Sequence, residues 1–169
     1  MQDATLRAIM ACAVFAVAGI VAFLYFPRAN ESLLLAGYYA VLVLNTFLSI
    51  KAFAAITPKN IVQSLFDAAL VLTYIALAFS LGSVLQFSVV SWILFVLANA
   101  KYAHLERLVP QKEFLRHKMR INWLGALLSA GAFVIAAFGF PIPAAWALFC
   151  LYGLANIYLL GIDPMYRIR

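Results

Sequence analysis

Residues 101–120 read Lys101-Tyr-Ala-His-Leu-Glu-Arg-Leu-Val-Pro-Gln-Lys-Glu-Phe-Leu-Arg-His-Lys-Met-Arg120 and hold six of the chain's twelve Lys and Arg. Apolar runs flank them, roughly 84–105 before and 121–140 after. Four more runs cover roughly 8–26, 33–56, 61–82 and 144–162. Each is close to the ~20 residues that a helix needs to cross ~30 Å of hydrocarbon. The other cations fall in alternate gaps: Arg7 before the first run, Lys51 and Lys59 closing the second, Arg167 and Arg169 after the sixth. Arg28 alone lies in the opposite set of gaps. Cationic side chains resist translocation, so the pattern predicts cytoplasmic N- and C-termini and a cytoplasmic 106–120 loop. The expected fold is an all-α integral membrane protein, one domain over 1–169 with six transmembrane helices.

Composition points the same way. Hydrophobic residues make up 67% of the chain and charged residues 11%, with a mean hydropathy of +1.01. Soluble domains stay near ~45–50% apolar. The net charge of +6 suits the anionic head groups of a cytoplasmic leaflet. It does not suit nucleic acid, because no basic segment outside the spans interleaves with aromatic side chains. Run 8–26 exceeds a signal-peptide core and lacks a clear cleavage site, so it reads as a retained helix. Cys12 and Cys150 sit at depths about 10 Å apart, too far for a disulfide.

Most connections are short. Pro27 to Ser32, Gly82-Ser83 and Pro141-Ile142-Pro143 lie on one side, and Thr57 to Asn60 on the other, with Asn60 a candidate N-cap. Tight links of this kind predict three antiparallel hairpins: helices 1–2, 3–4 and 5–6. The exception is 106–120, broken by Pro110 and carrying Phe114, Leu115 and Met119 on one side. It is expected at the membrane surface as a basic cytoplasmic loop or helix.

Asp67 is the only acid within a run, seven residues past Asn60 and so about 10 Å in from the predicted cytoplasmic end. Asn99, Asn156 and Asn45 count to about the same depth from Glu106, Asp163 and Lys51. A polar side chain in hydrocarbon must turn inward and find a partner. Helical spacing adds Gln63 and Tyr74 to the face of Asp67. Lys51 and Lys101, at the inner ends of helices 2 and 4, are placed to reach its carboxylate. The candidate ligand-binding set is therefore Asp67, Asn45, Asn99, Asn156, Gln63, Tyr74, Lys51 and Lys101. Helices 2, 3, 4 and 6 would wall this polar centre. Helices 1 and 5 carry small residues at a spacing of four (Ala8, Cys12, Ala16; Gly125, Ser129) and read as packing helices.

A simpler explanation competes: intramembrane amides often only cross-link helices, at about 0.6 kcal/mol each. For Asp67 it is weaker, since an intramembrane acid is a functional candidate by default. No hydrolase, zinc-protease, dithiol or phosphate-loop motif occurs, so no catalytic residue is assigned. Glu113 and His117 are too few ligands for a metal, and no cofactor is expected. The leading expectation is a transport or permeation component for a small solute or a proton. It would use a pocket around Asp67 that opens to the cytoplasm and is closed outside by apolar side chains. Two alternatives are a non-catalytic subunit of a larger membrane complex and a lipid-handling enzyme whose Lys59, Lys101 and Arg107 grip a phosphate. The small-residue faces would suit a homo-oligomer or membrane partner subunits.

Overall fold

Hydrocarbon offers no hydrogen bonds, so a chain of this composition must satisfy its peptide groups within its own helices. The computed structural model describes residues 2–26, 30–54, 56–58 and 60–158. They form six helices: α1 (Gln2–Tyr25), α2 (Asn30–Phe53), α3 (Ile61–Phe79), α4 (Val84–Glu106), α5 (Lys112–Ala137) and α6 (Pro141–Ile157). The first five are long and apolar enough to cross a membrane, while α6 is apolar and shorter. The protein is a multi-pass membrane protein by these lengths.

Local chemistry sets the helix ends. The Asn60 side chain accepts a hydrogen bond from the Gln63 backbone N–H at 2.8 Å, which fills one of the orphan donors of the first turn of α3. Ser83 does the same for α4 through the Gln86 N–H at 3.4 Å. The end of α5 is a Schellman turn. Gly139 takes φ +89°, its N–H reaches Ala136 O at 3.0 Å, and Phe140 N–H reaches Ile135 O at 3.2 Å. Only glycine enters that backbone region without strain. The link between α5 and α6 is thus 138–140, and Pro141-Ile142-Pro143 is the first turn of α6, where a missing N–H costs nothing.

The helices close into a ring. In order around it stand α1, α2, α6, α5, α4 and α3, with α3 returning to α1; lesser contacts cross from α4 to α2 and α6, and from α2 to α3. The most extensive contact is α4 against α5. Gly125 explains its closeness, because a Cβ there would lie 2.6 Å from the Phe95 ring. Beside it Ser129 Oγ donates to Gly125 O at 2.9 Å and meets Ser91 Oγ at 2.9 Å. Ser91 also meets the Tyr38 hydroxyl at 2.9 Å. The Gly125 and Ser129 face of helix 5 is therefore buried inside the chain.

Segment 112–120 is continuous with α5 and turns Leu115 and Lys118 into the bundle, where both are buried. Leu115 packs with Phe53, Tyr102 and Leu105 in a small apolar cluster at this end. A larger cluster fills the rest of the bundle, with Tyr38, Leu77, Leu81, Phe87 and Leu148 almost fully enclosed.

Candidate functional site

Between the two clusters lies a cavity of about 600 Å³ to which all six helices contribute. Helix α1 supplies Arg7, Ala11 and Phe15; α2 supplies the stripe Leu42, Asn45, Thr46, Ser49 and Phe53. Helix α3 presents Gln63, Ser64, Asp67, Leu70 and Tyr74, at the three-, four- and seven-residue spacings of one helix face. Helix α4 adds Phe95, Ala98, Lys101 and Tyr102, α5 adds Lys118 and Asn122, and α6 adds Tyr152. Arg7, Asn60, Lys101 and Lys118 mark its basic end. Phe15, Tyr74, Leu94, Phe95 and Tyr152 mark the other, and the buried residues beyond them, Tyr38, Leu77, Phe87 and Ser91, do not line it. The cavity is blind at its aromatic end.

The polar groups differ in how they are satisfied. Lys101 Nζ lies 2.5 Å from Asp67 Oδ1; the lysine side chain is 15% exposed and the carboxylate's 57%. Asp67 is thus a paired acid on the open rim, not a buried proton site. Asn45 Nδ2 donates to the Tyr152 hydroxyl at 3.3 Å. Tyr74 bonds to Thr46 and stacks on Phe15 with ring centroids 4.4 Å apart. The Tyr39 hydroxyl ties α1 to α2 through Phe15 O at 3.0 Å. Gln63 is the exception. It is 2% exposed, lines the cavity, and neither its amide nitrogen nor its amide oxygen has a partner among the described residues. Lys118 stands on the opposite wall at 4% exposure. Among the described residues the walls carry three cations (Arg7, Lys101, Lys118) and one acid (Asp67).

Five of the eight expected residues meet here: Asp67, Asn45, Gln63, Tyr74 and Lys101. The other three do not. Lys51 is exposed at the end of α2 and lines no part of the cavity. Asn99 is buried on the α5 side of α4; in the amide orientation that satisfies its neighbours it donates to Met119 O and accepts from Trp123 Nε1, both at 3.3 Å. Asn156 Nδ2 donates back to Tyr152 O of its own helix at 2.9 Å. Common depth was right for placing these amides in the bundle, but their helices rotate them away from the space.

Helices 1 and 5 are the larger correction: both were expected only to pack, and both wall the cavity, α1 through Arg7, Ala11 and Phe15 and α5 through Lys118 and Asn122. Lys118 and Asn122 belong to a stripe that continues through Gly125, Ser129, Ala132 and Ala136, all buried. The three- and four-residue spacing of that stripe was the available signal, masked because Lys118 counts among the loop cations. Of the cations suited to a phosphate grip, Lys101 is engaged by Asp67, Arg107 lies off the cavity, and Lys59 falls outside the described residues. Comparison of the chain with protein-family models, with curated proteins and with solved structures found no match.

Proposed function

We propose that this protein is a small-solute binding and transport component whose pocket opens to the cytoplasm. One observation carries the reading: a blind cavity of about 600 Å³, within the ~300–1,000 Å³ range of small-molecule sites, reached from the end of the bundle rich in Lys and Arg. The orientation follows from the charge distribution, which favours both termini and the 107–111 connection in the cytoplasm. On this reading all six helices span, as three hairpins, and α6 is the short one: its 17 described residues reach about 25 Å, less than the ~30 Å of the hydrocarbon core. A continuous water-filled pore is disfavoured, because the outer half of the bundle is filled by aromatic and aliphatic side chains. The paired, exposed state of Asp67 favours a solute over a proton as cargo.

Accessibility tests the reading. In a background with Cys12 and Cys150 replaced by alanine, Leu108→Cys marks the 4–5 connection and Ala98→Cys marks the cavity wall. Both should react with a membrane-impermeant maleimide in inside-out vesicles and stay unreactive in right-side-out ones. Reaction of Leu108→Cys from outside would invert the topology. If Ala98→Cys were silent from both sides while Leu108→Cys reacted from inside, the cavity would be closed to solutes. Residues that serve only a packing subunit would then be the better account.

A further inference from the structure

Gln63 and the charge around it narrow the ligand, granted the pocket reading above. A primary amide buried without a partner is costly and seldom retained unless something meets it. Its donor and acceptor lie side by side, so a group that satisfies both must also carry an acceptor beside a donor. An N-acyl amino acid, whose amide N–H lies beside a carboxylate oxygen in its extended conformer, or a hydroxy acid does this; a bare hydrocarbon or a halide ion does not. Among the described residues Arg7 and Lys101 against Asp67 already give the mouth a net positive charge, with the buried Lys118 on its wall, which favours an anionic group there. About 16 Å further in, counting α3 from Gln63 to Tyr74, the walls become rings: Phe15, Tyr74, Phe95 and Tyr152. Flat aromatic groups stack in such a space. We propose that the cavity binds an amphipathic organic monoanion, with its carboxylate among the cations at the mouth, an adjoining amide or hydroxyl on Gln63, and an aromatic body in the blind end. The closed end and the volume favour a compact aromatic acid over an acyl chain carrying the same charge.

The probe is N-benzoyl-phenylalanine, which has the carboxylate, a secondary amide and two rings. Binding is measured to the intact protein in phosphatidylcholine nanodiscs, by calorimetry and by protection of Ala98→Cys from maleimide. The acid is expected to bind and protect, its methyl ester at least tenfold more weakly. Gln63→Met should weaken the acid at least tenfold, since it removes both hydrogen bonds that the amide makes to the ligand. The N-methyl analogue, which lacks the amide donor, should bind the wild type weakly and lose less on Gln63→Met. Oleate, the same charge on a lipid chain, should compete only at higher concentration. Equal binding of acid and ester, or an affinity indifferent to Gln63→Met in folded protein, would overturn the proposal. Oleate binding more tightly than the aromatic acid would assign the cavity to membrane lipid and overturn it too. If Ala98→Cys reacts from inside but the acid neither binds nor protects, this ligand class is wrong and the accessible pocket stands.

Discussion

Replacing Gln63 by methionine should make the unliganded protein more stable. The side chain is 2% exposed, and its amide nitrogen and oxygen both lack a partner among the described residues. A buried polar group without a hydrogen bond costs about 1–3 kcal/mol. The cavity next to it is large enough to admit water, so the lower end of that range per atom applies, about 2 kcal/mol for the whole amide. Methionine has nearly the same length and only a little more volume, which the adjoining cavity can take up, so little packing is lost. For a chain of this size each kcal/mol moves the melting temperature by about 2–4 °C, giving an expected rise of roughly 4–8 °C. Tryptophan-fluorescence melts in nanodiscs would read it, with Ser64→Ala, on the exposed neighbouring position, as the control that should not move. An unchanged or lower melting temperature for Gln63→Met would show that the amide is already satisfied, and the case for a ligand there would fall with it. The stability gained would be matched by binding lost, the trade expected where a polar group is kept for function.

Asp67→Asn should shift stability by less than about 1 kcal/mol, since its ion pair is open to solvent, yet tighten binding of the carboxylate probe by releasing the charge of Lys101; weaker binding would place Asp67 in direct contact with the ligand. Gly125→Leu should destabilise by about 1–3 kcal/mol through collision with Phe95, and Phe95→Ala in the same chain should restore part of that loss; no rescue would mean that the α4–α5 seam is not set by this pair. Ser91→Ala should cost about 1 kcal/mol because it removes one of the two serines, Ser91 and Ser129, that meet the enclosed Tyr38 hydroxyl, and adding Tyr38→Phe should recover some of it in the same melts. Additive losses in that pair would show that the two hydroxyls are not coupled.

Hydropathy and charge carried the membrane class, the existence of the six helices and the N-cap at Asn60, because each is decided locally. A peptide group in hydrocarbon has no partner but its own helix, and an asparagine beside a helix start bonds to the N–H three residues on whatever lies around it. Counting from the helix ends placed Asp67, Asn45, Asn99 and Asn156 near one level of the bundle, and helical spacing added Gln63 and Tyr74 to the face of Asp67; of these, Asp67, Asn45, Gln63 and Tyr74 line the cavity together with Lys101. Depth is a coordinate along one axis that a sequence holds directly. Azimuth is not. Whether an amide at that depth meets empty space or another helix depends on how its helix is turned and on which helices flank it. Those were settled by contacts between residues far apart in the chain: Gly125 against the Phe95 ring, Ser91 between Tyr38 and Ser129, Gly37 against Phe149. These contacts set α4 on α5 and closed the ring through α2 and α6. That arrangement turned Asn99 to Trp123 and Asn156 to its own backbone, and brought Lys118 of a basic segment to the cavity wall. A helix surrounded by equally apolar neighbours and lipid gains almost nothing from hydrophobicity by choosing one rotation over another. Shape and hydrogen bonding make the choice, and both exist only once the partner helix is in place.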